Sequence, residues 1–307
     1  MKILAFGEIL WDVYEDKSII GGAPLNFSAH LSKLGAAAYA ISAVGNDSLG
    51  EKTLSTVKDL GVKTDYVFTD TGYPTGTCTV TCSNEGQPSY KLAENTAFDN
   101  IVLKEADIDK IKAHDFDAFY FGTLSQRNAT SNAALGEILA KCSFSEVFCD
   151  LNIRPNCYTA QSIENCLKHS TILKISREEH PVLLQYGFSS LRKAEQQDPL
   201  DFYKALCADL ARNYTINIII ITLDKDGAIV YTRQDDRLYV SEKPKNKAVS
   251  TVGAGDSFSA CFLYNYLKGT GLTDCISRAV TLSDYVVAHY AAVPDYSQEL
   301  CTALSIE

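Results

Sequence analysis

Ser250-Thr251-Val252-Gly253-Ala254-Gly255-Asp256-Ser257-Phe258 joins a glycine turn to an acid and then to an apolar run: Phe258, Ala260, Cys261, Phe262, Leu263, Tyr266 and Leu267. The spacing of that run is helical, and Gly269 and Gly271 are suitable stops for it. The Gly-Ala-Gly-Asp segment therefore opens a helix. Backbone N–H groups at such an N-terminus lack intrahelical partners and carry the positive end of the helix dipole. That makes an anion site, and glycine lets a phosphate come close to the main chain. A carboxylate would repel a phosphate that is merely bound. Asp256 fits if it accepts the proton of an alcohol while the amides of Gly253, Ala254 and Gly255 hold a moving phosphoryl group. A capped helix with an acidic first turn accounts for the same residues equally well.

Thr251 to Phe258 resembles the C-terminal signature of the ribokinase-like carbohydrate kinases, the phosphofructokinase-B type. The resemblance extends over nearly the whole chain and is nearest to bacterial fructokinases. It implies a doubly wound α/β sheet flanked by helices, with a small β-sheet as lid.

The bulk numbers agree with an enzyme of this size. The chain has 307 residues, 46% of them hydrophobic and 21% charged, and can bury roughly three quarters of its unfolded surface. Its net charge of −10 comes with scattered basic residues, which argues against nucleic acid as a partner. No apolar run approaches membrane-spanning length. The acidic start Met1 to Glu8 does not read as a signal peptide. None of the ten cysteines forms a C-x-x-C pair, so reduced, mostly buried thiols and a cytoplasmic location are expected. The five histidines show no ligand spacing.

Along the chain, Lys2 to Leu10 reads as a buried strand, with Asp12 just past its carboxyl end, where open α/β sheets place ligands. Gly21-Gly22-Ala23-Pro24 then opens a helix, Pro24 suiting its first turn and Asn26 projecting from it. Asp12 and Asn26 offer the acceptors and donors that a polyol demands, although each is also ordinary as a solvated residue. Ala38 to Val44 reads as a strand, and Asp47 as the N-cap of the helix that follows. Residues 66–98 break the α/β rhythm: Thr77, Thr79 and Thr81 alternate with Cys78, Val80 and Cys82, a half-exposed strand. Ser83 to Pro88 reads as a turn, and Ser89 to Ala93 as the returning strand. The expected division is a core of 1–12, 21–64 and 99–307, and a lid of 13–20 and 65–98. Such a sheet needs a cover for its apolar face, which a closing substrate site or a second copy would supply.

Strands are then expected at Asp117 to Phe121, Glu146 to Asp150, Thr171 to Ser176, Ile216 to Leu223, Ile229 to Arg233 and Arg237 to Val240. Arg154, just after the second of these, is placed either to hold a phosphate or carboxylate bidentately or to make a surface ion pair. Ser176 and Glu179 form a capping box by pattern. No Gly-x-x-x-x-Gly-Lys motif occurs, so this is no P-loop protein.

The resemblance adds roles to these positions. It implies that Asp12, Gly22 and Asn26 contact a sugar, and that Lys174, Thr222, Gly227 and Gly255 lie on the ATP side. Glu179 would organise Mg²⁺ through waters, and the lid often forms a dimer interface. The chain departs from the pattern at Ser176, where Asn is usual, and at Asp224, where Gly is usual beside ATP. Ser250 stands where an Asp often helps bind a monovalent cation, and Ala291-Ala292 where Gly-Ala is usual, so weak or absent potassium activation is expected. The reading is an ATP-dependent sugar kinase, with fructose as acceptor. Ribose, 2-keto-3-deoxygluconate or a nucleoside remain open as acceptors. A non-catalytic sugar- or nucleotide-sensing protein on the same scaffold also remains open.

Overall fold

Apolar, β-branched runs covered on both sides form parallel strands, and the chain supplies two sets of them. The computed structural model describes residues 1–82, 88–188 and 198–306. It forms two compact units, Met1–Ser145 and Glu146–Glu307.

In the first unit the elements run β1 Lys2–Phe6, β2 Leu10–Val13, β3 Ser18–Gly21, α1 Ala23–Lys33, β4 Ala37–Gly45, α2 Ser48–Asp59 and β5 Lys63–Asp70. They continue with β6 Gly76–Cys82, β7 Pro88–Leu92, α3 Glu105–His114, β8 Ala118–Gly122 and α4 Ala129–Lys141. Strands β8, β1, β4 and β5 lie side by side and parallel. A second sheet takes the order β3-β2-β6-β7. Its core is Leu10, Cys78 and Phe98, with Leu92 packed against them. Pro24 sits in the first turn of α1 as expected, and Asp47 caps α2 by accepting from Gly50 N at 2.7 Å.

Three expectations change here. Lys2 to Leu10 is not one strand: Gly7, at φ +146°, ends β1, and the chain leaves for the small sheet. A Cβ on Gly7 would lie 2.8 Å from the ring of Pro24, so the bend needs glycine. Asp12 consequently lies inside β2 rather than in a loop after β1. Residues 65–70 belong to β5, paired with β4 in the larger sheet. Tyr66 is fully buried there, with its hydroxyl 2.5 Å from His114 Nδ1, which ties the strand to the core. The turn expected over 83–88 lies outside the described residues, apart from Pro88.

The second unit runs β9 Glu146–Asp150, α5 Ala160–His169, β10 Ile172–Ser176, α6 His180–Gln185, α7 Pro199–Asn213 and β11 Ile218–Thr222. Then come β12 Ala228–Thr232, β13 Arg237–Val240, α8 Ala254–Leu267, α9 Leu272–Val287 and α10 Gln298–Leu304. Strands β9, β10 and β11 are parallel, and β12 and β13 continue the sheet antiparallel. The expected capping box is half made. Glu179 reaches back to Ser176 N, but α6 begins only at His180, with Glu179 itself at the cap position. Cys78, Cys142, Cys149, Cys157, Cys166, Cys207, Cys261, Cys275 and Cys301 are free thiols, six of them buried. No helix among the described residues is long and apolar enough to cross a membrane.

Candidate active site

In the second unit α8 starts where the glycine turn places it. Gly253 caps it in the left-handed region, φ +81°. A side chain there would meet Ala292 O at 2.6 Å, so both conformation and space require glycine. The amides of Ala254, Gly255 and Asp256 then fall in the first turn, ahead of any i−4 carbonyl of the helix. Ser257 and Ser283 fix the turn by donating from their hydroxyls to Ala254 O at 2.9 and 3.1 Å. Asp256 is half-buried in the same turn.

Lys174 reaches this turn from β10. Its Nζ lies 3.2 Å from the place a Cβ on Gly255 would take. It pairs with Asp150 Oδ2 at 2.7 Å, the two being register partners on adjacent parallel strands. Both are buried, at 5% and 1% exposure. Asp150 Oδ2 also accepts from Ser259 Oγ at 3.4 Å, whereas Asp150 Oδ1 has no partner among the described residues. Burial works against the Lys174 charge, but the carboxylates of Asp150, Glu179 and Asp256 outweigh it and hold its pKa above the usual lysine value. Burial, then the Asp150 charge, push the Glu179 carboxyl up, against Lys174 and two backbone N–H groups. Those groups are Ile153 N and Ser176 N, donating to Glu179 Oε1 and Oε2 at 2.5 and 2.7 Å. Glu179 thus ties together the exits of β9 and β10.

A pocket opens beside α8, with Thr222, Asp224, Gly227, Pro244, Gly255 and Phe258 in its lining. Gly227 has φ +91°, and a Cβ on it would lie 2.7 Å from Glu242 O. Asp224 adopts the left-handed region at φ +51°, a conformation that suits glycine and that Asp tolerates. Its carboxyl is pushed up by burial and by the adjacent Glu178. Arg177 donates to Leu223 O and to Asp226 at 2.8 Å each, and Lys243 to Asp226 at 2.9 Å. Hydrogen bonds from these two cations hold the Asp226 carboxyl down at about 2.

Of the other expected residues, the first unit holds Asp12, Gly22 and Asn26, and the second holds Arg154. Gly22 caps α1 at φ +111°, where a side chain would collide with the carbonyl of Glu8. Asp12 Oδ2 lies 3.4 Å from where a Cβ on Gly21 would stand. Asn26, buried, begins the helical ladder by donating from N to Gly22 O at 2.9 Å. Arg154 is exposed and makes no ion pair among the described residues.

Two residues at these sites were missed from sequence. Buried Glu8 accepts from Ala23 N at 3.2 Å and so holds the start of α1. A charge inside an apolar run, Phe6-Gly7-Glu8-Ile9-Leu10, was the available signal. Asp150 was the other; its partner Lys174 is set by the pairing of β9 with β10, which no local pattern announces.

Known proteins resemble this chain in sequence and in fold. The protein named "Probable fructokinase-5" of Arabidopsis thaliana is 26% identical over 293 residues, 89% of this chain and 85% of that one. The crystal structure of 2-dehydro-3-deoxygluconokinase from Thermotoga maritima superposes with a TM-score of 0.82 at 21% identity, covering 99% of both chains. A fructokinase with bound ATP from Xylella fastidiosa gives 0.79 at 20% identity, over 99% of this chain and 97% of that one. At such identities the structures speak for the fold alone, which is the ribokinase-like α/β fold with a small separate sheet. The model of the pfkB family carbohydrate kinases matches residues 3–298, and the chain belongs to that family.

Proposed function

We propose that this carbohydrate kinase transfers the γ-phosphoryl group of ATP to the primary hydroxyl of a sugar, with fructose as acceptor and fructose 6-phosphate as product. The observation that carries the reading is the turn at Gly253: a left-handed cap that no other residue fits, followed within one helical turn by Asp256. In this account Asp256 accepts the hydroxyl proton as the acceptor oxygen bonds to phosphorus. The bond between phosphorus and the β–γ bridging oxygen breaks, and ADP leaves. The amides of Gly253, Ala254 and Gly255 stabilise the moving charge, which can be worth about 3 kcal/mol per well-placed donor. Lys174, at Gly255, adds a buried positive charge to that cradle. Thr222, Gly227 and Gly255 border the nucleotide. Asp12, Gly22 and Asn26 bind the sugar hydroxyls. The small sheet serves as lid and as the face through which two copies pair.

Mg²⁺ would supply counter-charge for the phosphates. The donor set fits a hydrated hard cation: Asp150 Oδ1 is buried with no partner among the described residues, and the Asp150 charge pushes the carboxyl of Glu179 up.

A keto-deoxy sugar acid is the second reading of the acceptor. Arg154 is exposed without an ion pair among the described residues, and a substrate carboxylate would give it a bidentate partner. The test is ADP release with ATP and Mg²⁺ over D-fructose, D-ribose, 2-keto-3-deoxygluconate and adenosine. The account expects the highest kcat/KM with fructose. A preference for the acid that falls in Arg154→Ala would move the assignment to the second reading. No ADP release with any acceptor would make this a sensing protein.

A further inference from the structure

Asp99 and Arg127 form a buried knot in the first unit that neither the family signature nor the expected site residues include. Asp99, 2% exposed, accepts four hydrogen bonds. Two come from Thr96, from N and from Oγ1, at 3.0 Å each. Two come from Arg127, from Nε and Nη2, at 2.7 Å each. Arg127 also donates to Ala93 O at 2.6 Å, and its guanidinium lies 5.0 Å from the ring centre of Phe98.

These contacts place the guanidinium at the root of the small sheet. Ala93 follows the last residue of β7, and its N donates to Thr77 O of β6 at 2.9 Å. The Phe98 ring fills the space above Gly76, where a Cβ would stand 2.6 Å from it, and packs with Leu10 and Cys78 of β2 and β6. Leu10 and Asp12 are on one strand, and Asp12 is the register partner of Cys78. From the other side, Arg127 ends the turn Leu124–Gln126 that follows β8. Ser125 of that turn stands 3.5 Å from the place of a Cβ on Gly7, and the Pro24 ring of α1 stands 2.8 Å from it. One short turn therefore indexes both the start of α1, with Gly22 and Asn26, and the sheet that carries Asp12.

We propose that Arg127, through its paired bond to Asp99, is a positioning residue that sets the register of Asp12 against the start of α1, and so the fit of the sugar. The inference rests on reading Asp12 as a sugar contact. A lysine cannot reproduce the planar fork that spans two carboxylate oxygens and a carbonyl, so Arg127→Lys keeps the charge and loses the alignment.

The experiment measures steady-state kinetics of wild type, Arg127→Lys, Asp99→Asn and Asp12→Ala, with D-fructose, D-ribose and 2-keto-3-deoxygluconate as acceptors. Thermal midpoints are recorded for each, and assays run well below the lowest. The expected result is a sugar KM raised about tenfold in both knot variants, the cost of one well-made contact, with KM for ATP within about twofold of wild type. A lowered midpoint with sugar KM unchanged would leave the knot a stabilising device only and overturn the inference. An equal rise in both KM values would do the same. If Asp12→Ala leaves sugar KM unchanged, the sugar-site reading itself is wrong, and the inference falls with it. Sensitivity in Asp12→Ala but not in Arg127→Lys overturns the positioning role alone.

Discussion

Asp150 and Lys174 are 24 positions apart, and only the parallel register of β9 and β10 makes them neighbours. Each charge is buried, and each is tolerable because of the other. Removing one partner leaves an uncompensated buried ion, whereas removing both does not. Lys174→Met should therefore lose about 3–5 kcal/mol of stability, and Lys174→Met with Asp150→Leu distinctly less. Urea denaturation of the two variants measures this, and equal losses would show that the pair carries no coupling. The pairing could not be read from sequence, because nothing local to either residue announces the other. Gly253 is the opposite case. Its left-handed turn and the helix that opens after it with an acid in the first turn both follow from nine consecutive residues, and the structure has both.

At the scale of elements, what was legible is what has a local period. The apolar run after Gly255 gives α8, and the β-branched run at Ile218–Thr222 gives β11. The break between β1 and β2 was hidden because apolar residues flank Gly7-Glu8 on both sides, and the crowding of Pro24 against Gly7 explains it. Strand β5 was grouped with the lid because it opens the stretch that breaks the α/β rhythm, and its Lys63-Thr64-Asp65-Tyr66-Val67-Phe68-Thr69-Asp70 has no long apolar run. Asp224, where the resemblance makes Gly usual, is held at positive φ, a conformation that suits glycine. The anchor of the loop of Asp224 to Gly227 is Asp226, bridged by Arg177 and Lys243. The Asp226 pKa is depressed from 3.8 to about 2. Its contribution is therefore in place above about pH 4 and is lost as pH falls through about 2. Comparison of wild type with Asp226→Asn by acid titration of the fold should show a gap that closes between pH 4 and pH 2. The bridge is exposed, so the gap should also shrink in high salt.

For the molecule as a whole, family membership was legible from one signature and its spacing, whereas the acceptor sugar was not, because that choice lies in a few contacts spread over separate elements. With a net charge of −10 on the chain, the proposed transfer from ATP needs local positive potential, which on that proposal the α8 amides, Lys174 and bound cations would supply. The proposed reading expects weak or absent potassium activation. Ser250 uses its hydroxyl to accept from Val252 N at 3.2 Å, and Ala292 packs on Gly253. Turnover in potassium should match turnover in a large organic cation at equal ionic strength, and a manyfold potassium stimulation would refute this. The central claim is that Asp256 takes the proton of the acceptor. The direct measurement is ADP release by Asp256→Asn with sugar, ATP and Mg²⁺, alongside nucleotide binding by the same variant. The account predicts binding close to wild type and turnover lower by about 10² to 10⁴. Turnover near wild type in that variant would contradict it.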